Sequence, residues 1–421
     1  MKIAHICEAD SGGGAMLAAA KLHAALSGLG MDSSVLVRIK TGSDPSFISV
    51  RDNLTLRDWI DYKICRRRNK KLRRKYQPRP IEQVGLFSIG VGSLGNSLAR
   101  QLPDADIYAL HWSSELVDLK PLMAKIGQRP AFWRMADMNP MTGGCHYSMG
   151  CTGFTRTCGD CPMLEHPGPD DLSHYALTRK LETFAKVDPN RFRPVAPSLW
   201  LKKEAERSNV LKRFDTAHIP TGVNTERYRP IDKLEARQKL GLGSEDKILL
   251  FAADNVNEHR KGFDLLLEVL HKLPKDLSIT PVAMGKADKQ HEGIRYLGKL
   301  DGADALSTAY SAADAFVLPT RADNLPNVAL EAMACELPVL SFRVGGMIDF
   351  VHDGETGFLA PPEDAGTLAE HVARVFFDDT LRMSMARKCR ALMLEQFCEK
   401  QSAKRYLDLC SSLVDASRAL P

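Results

Sequence analysis

No stretch of about 18 uninterrupted apolar residues occurs in the chain, so no membrane span is expected. The opening residues, M-K-I-A-H-I-C-E-A-D, hold too short an apolar run for a secretory signal. Charge of one sign is also scarce. Lys and Arg number 57 against 52 Asp and Glu, and a net +5 over 421 residues does not call for nucleic acid. Ten cysteines without an export signal are expected as reduced thiols or metal ligands, not disulfides. What remains is ordinary soluble composition, 44% hydrophobic and 26% charged. The length allows two or three domains, each with its own core.

One stretch concentrates the chemistry: residues 314–346, D-A-F-V-L-P-T-R-A-D-N-L-P-N-V-A-L-E-A-M-A-C-E-L-P-V-L-S-F-R-V-G-G. The apolar run from Ala315 to Leu318 reads as a buried strand. A polar loop follows to Leu325. Pro326 suits the first turn of a helix, where a missing N–H costs nothing. That helix is expected to reach about Glu336, and Pro338 opens the next strand. Asp323 in the loop and Glu331 on the helix stand eight positions apart. They need not share a helical face, and they can bracket a ligand lying along the helix N-terminus. Taken alone, Glu331 reads equally as a solvated helix carboxylate.

The stretch resembles the E-x₇-E signature of retaining glycosyltransferases of family four, which have the GT-B fold. N-L-P-N-V-A-L-E-A-M-A-C and P-V-L-S-F-R-V-G-G carry the resemblance. It implies that Glu331 holds the ribose diol of a sugar nucleotide. It implies that Asp323, one methylene shorter than the family's usual Glu, contacts the donor sugar, with Asn324 and Leu325 beside it. Gly345 and Gly346 begin a turn after the strand 338–342, where backbone N–H groups can face a phosphate.

Upstream, Lys2 to Cys7 reads as a strand, S-G-G-G at 11–14 as a turn, and the residues to Leu29 as an Ala-rich helix. Glycines admit a ligand close to the backbone, and a helix N-terminus favours phosphate. The full G-x-G-x-x-G spacing is absent, and a plain tight turn is the alternative. The family resemblance assigns Gly13 and Gly14 to the donor phosphates and the acceptor. Strands are expected at 33–38, 106–110 and 130–135. The last two end in His111-Trp112 and Ala136-Asp137. Many family members carry a His before this Asp. Here His111, on the neighbouring strand end, either substitutes for it or only packs beside Trp112.

R-F-R-P-V-A-P-S-L-W-L at 191–201 resembles the family's crossing between domains, and I-P-T-G-V-N-T-E-R-Y-R-P at 219–230 a loop of its second domain. After a strand at 247–253, Arg260-Lys261-Gly262 opens an amphipathic helix. Two cations at a helix start beside a strand end suit a diphosphate; the alternative is a pair of exposed basic residues. Their adjacency lets one point away, and Lys261 matches the family better. Strands at 279–284 and 294–297 follow, and 364–418 is helical by pattern.

Two segments stand outside this scheme. Residues 63–75 hold nine basic side chains in thirteen positions with no acid among them. The run reads as a solvated face, or, beside Trp59 and Ile60, as a surface for an anionic leaflet. No nucleic-acid-binding module surrounds it. Cys145, Cys151, Cys158 and Cys161 are spaced C-x₅-C-x₆-C-x₂-C beside His146. The last pair has the spacing that lets two thiolates meet on one ion, so a structural zinc site is expected, with four free packed thiols as the alternative. The T-G-G-C-H-Y stretch resembles a Cys-rich subfamily.

Strands alternate with helices in both halves, which argues parallel α/β sheets with ligands beyond their carboxyl ends. The expected architecture is GT-B, two Rossmann-like doubly wound domains facing across a cleft. Residues 1–195 would form the acceptor side with a Cys-rich insert at 143–164, residues 196–398 the nucleotide-sugar-binding domain, and 399–421 a helix crossing back. The resemblance implies a retaining, hexosyltransferase-type enzyme without a catalytic metal. It would take a UDP- or GDP-sugar and a glycan, lipid-linked or other hydroxyl acceptor, in surface polysaccharide or glycoconjugate synthesis. The catalytic set would be Asp323, Glu331, Lys261, Arg260, Asp137 and His111. The expected location is cytoplasmic, peripheral to the membrane through 63–75. A non-catalytic sugar-nucleotide- or glycan-binding subunit is the alternative, motivated by Ala136 and Asp323. An epimerase is disfavoured, since no further acid/base residues are evident.

Overall fold

The computed structural model describes residues 1–80, 85–113 and 116–419. The chain forms two compact units: Met1–Ile219 together with the segment from Ala403, and Pro220–Ser402. The first unit holds seven strands: β1 (Lys2–Ala9), β2 (Asp32–Ile39), β3 (Phe47–Ser49), β4 (Ile107–Leu110), β5 (Ala131–Arg134), β6 (Phe192–Ala196) and β7 (Ala217–His218). Their order in the sheet is β3-β2-β1-β4-β5-β6-β7, parallel throughout. The second unit holds β8 (Ile248–Asn255), β9 (Thr280–Lys286), β10 (Arg295–Gly298), β11 (Ala315–Leu318), β12 (Val339–Phe342) and β13 (Gly357–Ala360), in the order β10-β9-β8-β11-β12-β13. These too are all parallel.

The strand sequences explain the layers. A-F-V-L, V-L-S-F and G-F-L-A of β11, β12 and β13 are buried at every residue. Unbroken apolar runs are what a sheet covered on both faces requires. In each unit the strand order reverses once. In the first sheet β1 lies between β2 and β4; in the second β8 lies between β9 and β11. The carboxyl ends beside such a reversal are splayed by their diverging connections, and ligands bind there in open α/β sheets.

The expected domain edge near 195 differs from the observed division. Val195 and Ala196 of β6 pair in parallel with Ala217 and His218 of β7, so the P-S-L-W-L helix, Leu199–Arg207, connects two strands of the first sheet. The division falls after Ile219. Pro326 caps its helix instead of entering it, and the helix spans Asn327–Ala334. The last helix, Glu399–Ala419, belongs to the first unit from Ala403. Its stripe of Tyr406, Cys410, Leu413 and Val414 joins the core beneath Ile3, Ile107, Phe132 and Val195. Residues 420 and 421 of the expected segment 399–421 lie outside the described residues.

One buried ion pair fixes the edge of the second core. Asp314, just before β11, receives Arg237 Nη2 at 3.0 Å and the Ile248 amide at 2.7 Å, and pairs with Lys233. Arg237 is 5% exposed. Asp314→Ala leaves that guanidinium without its counter-charge, and breaking a buried pair this way costs about 3–5 kcal/mol. A loss of that size in the urea unfolding of the second unit is the expected result.

Candidate functional site

Beyond the carboxyl ends of β8 and β11, at the reversal of the second sheet, lie two loops that fold onto each other. The first carries a short 3₁₀ turn, His259–Lys261, and Gly262. The second runs from Pro319 to the helix at Asn327. The Arg260 carbonyl accepts the Arg321 amide at 2.8 Å and the Thr320 hydroxyl at 2.9 Å. Gly262 sits at φ +73°, and a Cβ there would stand 1.8 Å from the Pro319 carbonyl oxygen. A side chain would force the loops apart.

This stitching brings Arg260, Lys261 and Asp323 together. Lys261 Nζ donates to Asp323 Oδ2 at 2.6 Å, and Arg260 Nη1 approaches the same oxygen at 3.3 Å. Arg260 also bonds the Ala322 carbonyl and Glu258 Oε1, each at 2.9 Å. Adjacency left room for one of the two cations to point away, but the 3₁₀ turn aims both at one carboxylate. Burial alone would raise the Asp323 carboxyl, but Lys261 and then Arg260 hold it below its ordinary 3.8.

The next loop closes on the same point. Gly346 N–H donates to the Asp323 carbonyl at 3.1 Å. Gly345, at φ +53°, would drive a Cβ to 1.8 Å from that oxygen. Asn324 and Leu325 follow Asp323, both buried. Glu331 is 5% exposed on the helix Asn327–Ala334, so it is no solvated helix carboxylate. It accepts the Tyr310 hydroxyl at 3.4 Å and that of Tyr228. Burial, and then the charge of Glu331, push both tyrosine hydroxyls upward. Sequence reasoning missed these two tyrosines. Tyr228 did lie in the I-P-T-G-V-N-T-E-R-Y loop, but nothing there pointed to Glu331.

A sequence model of the family described as Glycosyl transferases group 1 matches residues 246–378, which contain Arg260, Lys261, Asp323, Glu331, Gly345 and Gly346. The match is confined to that span. It is similar to a D-inositol 3-phosphate glycosyltransferase of Streptomyces bingchenggensis, 33% identical over 213 residues, 44% of this chain and 46% of that protein. It is also similar to sulfoquinovosyl transferase SQD2 of Arabidopsis thaliana, 31% identical over 179 residues, 40% of this chain and 34% of that protein. The chain thus spans about half the length, or less, of these curated relatives. Among solved structures, sucrose-phosphate synthase from Thermosynechococcus elongatus aligns over 99% of both chains at 18% identity with a TM-score of 0.68. HepE of Anabaena in complex with UDP-glucose aligns over 98% of this chain and 100% of that one at 16% identity and 0.62. The two parallel sheets are those of the GT-B fold.

The matched span does not contain the other predicted residues, which lie in the first unit. Gly13 is the N-cap of the helix Gly14–Gly28 that follows β1. His111 and Asp137 follow β4 and β5 and line one small cavity with Trp112, Ala136 and Lys180. His111 is fully buried, and its Nε2 lies 2.9 Å from His5 Nδ1. It therefore does more than pack beside Trp112. Burial, and then His5, push its pKa well down, so it is neutral. Asp137 Oδ2 lies 2.6 Å from Nδ1 of the buried His146, whose Nε2 lies 3.0 Å from Ser88 Oγ. His146 was noted only as a neighbour of the cysteines; it holds Asp137.

The basic run lies in the helix Leu56–Tyr76, opened by a capping box between Thr55 and Asp58. The four cysteines line a second small cavity. Among the described residues, however, no set of three His, Cys, Asp or Glu side chains stands in metal-holding geometry.

The Asp323 pairing has a pH signature. Its folded carboxyl titrates below 3.8, so in acid the unfolded chain binds this proton first. The pairing contributes fully above the ordinary carboxylate range and is lost as pH falls through the lower folded value. The gap in unfolding free energy between the wild type and Asp323→Asn should hold steady from pH 7 to 5 and narrow below about pH 4. Urea titrations at four pH values measure it.

Proposed function

We propose that the chain is a retaining glycosyltransferase that uses a nucleotide-activated hexose. The observation that carries the reading is the cation pair at the reversal of the second sheet, held on Asp323 inside the span that matches the group 1 family. Lys261 and Arg260 would take the diphosphate, helped by backbone N–H groups of the turn at Gly345 and Gly346. Gly13 and Gly14, at a helix start in the first unit, would face donor phosphates and acceptor. Glu331 would accept both ribose hydroxyls, with two tyrosine donors holding the carboxylate in orientation. Asp323 would contact the donor sugar, with Asn324 and Leu325 beside it. Asp137 and His111 would serve the sugar and acceptor from the first unit.

The chemistry is then positioning together with stabilisation of the departing diphosphate. The two protein cations would do this without a catalytic metal. Sugar transfer on the same face needs no protein nucleophile. UDP-glucose, bound by the HepE structure, is the first donor to test, and GDP-sugars the second. The acceptor would be a hydroxyl of a glycan or lipid-linked saccharide, in surface polysaccharide or glycoconjugate synthesis. A purely binding homologue is the second reading, favoured by Ala136 and by the engagement of Asp137 with His146. Donor hydrolysis without acceptor separates the two, because a pure binder shows none.

Titration calorimetry with nucleoside diphosphate tests the assignments. Charge-assisted bonds to the ribose are worth about 1.5–3 kcal/mol each, so Glu331→Ala should weaken binding at least tenfold. Lys261→Ala should weaken binding and slow turnover, since negative charge on the leaving group grows in the transition state. Asp323→Asn removes the anion that now occupies both cations, so diphosphate should bind at least as tightly while turnover of the complete donor falls. Unchanged binding to Glu331→Ala would falsify the ribose assignment.

We further propose that the helix Leu56–Tyr76 docks on anionic membrane, as suits a lipid-linked acceptor and a peripheral cytoplasmic enzyme. Arg66, Arg67, Arg68, Lys70, Lys71, Arg73, Arg74 and Lys75 are exposed. So are Leu56, Trp59, Ile60 and Ile64, at 78%, 51%, 48% and 59%. No helix among the described residues is long and apolar enough to cross a membrane. Basic side chains near an anionic surface contribute about 1 kcal/mol each, screened by salt. Co-sedimentation with anionic vesicles should therefore fall as salt rises, and equal binding to neutral vesicles would refute the electrostatic account.

A further inference from the structure

The segment 143–164 lies outside the glycosyl transferase span, and its chemistry is unused by the reading above. Two of the four cysteines share one turn and two stand apart in the chain, yet Cys145, Cys151, Cys158 and Cys161 line one small cavity together with Phe87 and Phe154. None is in a disulfide. Cys151 is exposed as a residue although its sulfur borders the cavity. An apolar core does not recruit such a side chain.

Backbone amides donate to three of the sulfurs. Gly153 N–H donates to Cys151 Sγ at 3.4 Å. The amides of Gly143 and Met163 donate to the sulfurs of Cys158 and Cys161. Cys158, Gly159 and Asp160 have φ of +53°, +101° and +45°, a left-handed run that folds C-G-D-C into a tight knuckle with both thiols on the cavity. Lys180, 2% exposed, lies within electrostatic reach of Cys145 and Cys158. Its ammonium is held in place by the carbonyls of Asn139 and Thr142. The buried ammonium, which also faces Asp137, and the three amide donors are features that an anionic cluster would use. Four thiolates around one divalent ion carry net charge −2, and both features offset it.

We propose that Cys145, Cys151, Cys158 and Cys161 form a tetrathiolate site for one zinc ion that clamps this segment to the first unit. As they stand, no three of the thiols are in metal-holding geometry. A change of χ1 rotamer redirects each sulfur without moving its Cα. Binding forms four Zn–S bonds at roughly 2.3 Å and releases the thiol protons to solvent. The ion would be structural, since a closed set of four protein ligands leaves no position for substrate. Asp137 would feel its loss indirectly, because His146 follows Cys145 directly in the chain.

The test uses the full chain, purified without chelator, and does not depend on transferase activity. Elemental analysis should find about one zinc per chain, and cobalt exchange should give an intense thiolate-to-metal charge-transfer band. Cys158→Ser/Cys161→Ser should lose both signals and melt at lower temperature. Should that variant fail to fold, Cys151→Ser alters only the exposed ligand; it should remain folded and release zinc to a chromophoric chelator at least tenfold faster. Wild-type protein holding well under one equivalent of any metal after zinc reconstitution overturns the proposal. So does unchanged metal content in the double variant, or a mass showing disulfides among the four cysteines.

Discussion

One carboxylate oxygen organises the second unit's site. Asp323 Oδ2 is approached by both Lys261 and Arg260, and the three side chains are otherwise nearly dry. A buried carboxylate without partners would take up a proton, and Lys261 and Arg260, both partly buried, would repel each other more without Asp323 between them. The arrangement is therefore mutually dependent, and the loops must approach closely enough for it to form. Gly262 and Gly345 permit that approach, each lying where any side chain would strike a carbonyl oxygen of the opposing loop. Under the proposed function, an incoming diphosphate would meet cations that are already oriented and would share them with Asp323. The site trades part of its attraction for anions against having its geometry set beforehand.

Glu331 shows the same economy in a different form. It lies on a helix whose every residue from Ala329 to Ala334 is buried, so its backbone cannot shift without disturbing β11 and β12. The tyrosine hydroxyls fix the remaining freedom of its side chain. In the first unit, the Asp137–His146–Ser88 chain plays a comparable part. It ties the end of β5 to a segment of little regular structure.

The fold was largely legible because parallel, doubly covered strands write themselves as short apolar runs; A-F-V-L and V-L-S-F needed no further context. Asp323 and Glu331 were legible through a local motif. What was hidden were the pairings across long separations. Lys261 meets Asp323 and Tyr310 meets Glu331 only because β8, β11 and the helices between them stack in one register, which no window of sequence displays. His5 and His111 meet for a similar reason: β1 and β4 are neighbours, with Ile6 opposite Leu110. The boundary was misplaced because P-S-L-W-L marks the start of a helix faithfully but does not reveal that a two-residue strand, β7, still has to be added to the first sheet.

The last helix has a consequence for how the molecule comes into being. Its apolar stripe completes the core under β1, β4, β5 and β6, yet it is made only after the whole of the second unit. The first unit is thus begun before the second and cannot be finished until the second has been made. Throughout synthesis of the second unit, Ile3, Ile107, Phe132 and Val195 lack part of their cover, an exposed apolar surface of the kind that draws chaperones or aggregation. The second unit has no such debt to a distant segment and can close as soon as residue 402 emerges. The half of the chain made later is then the half that matures first.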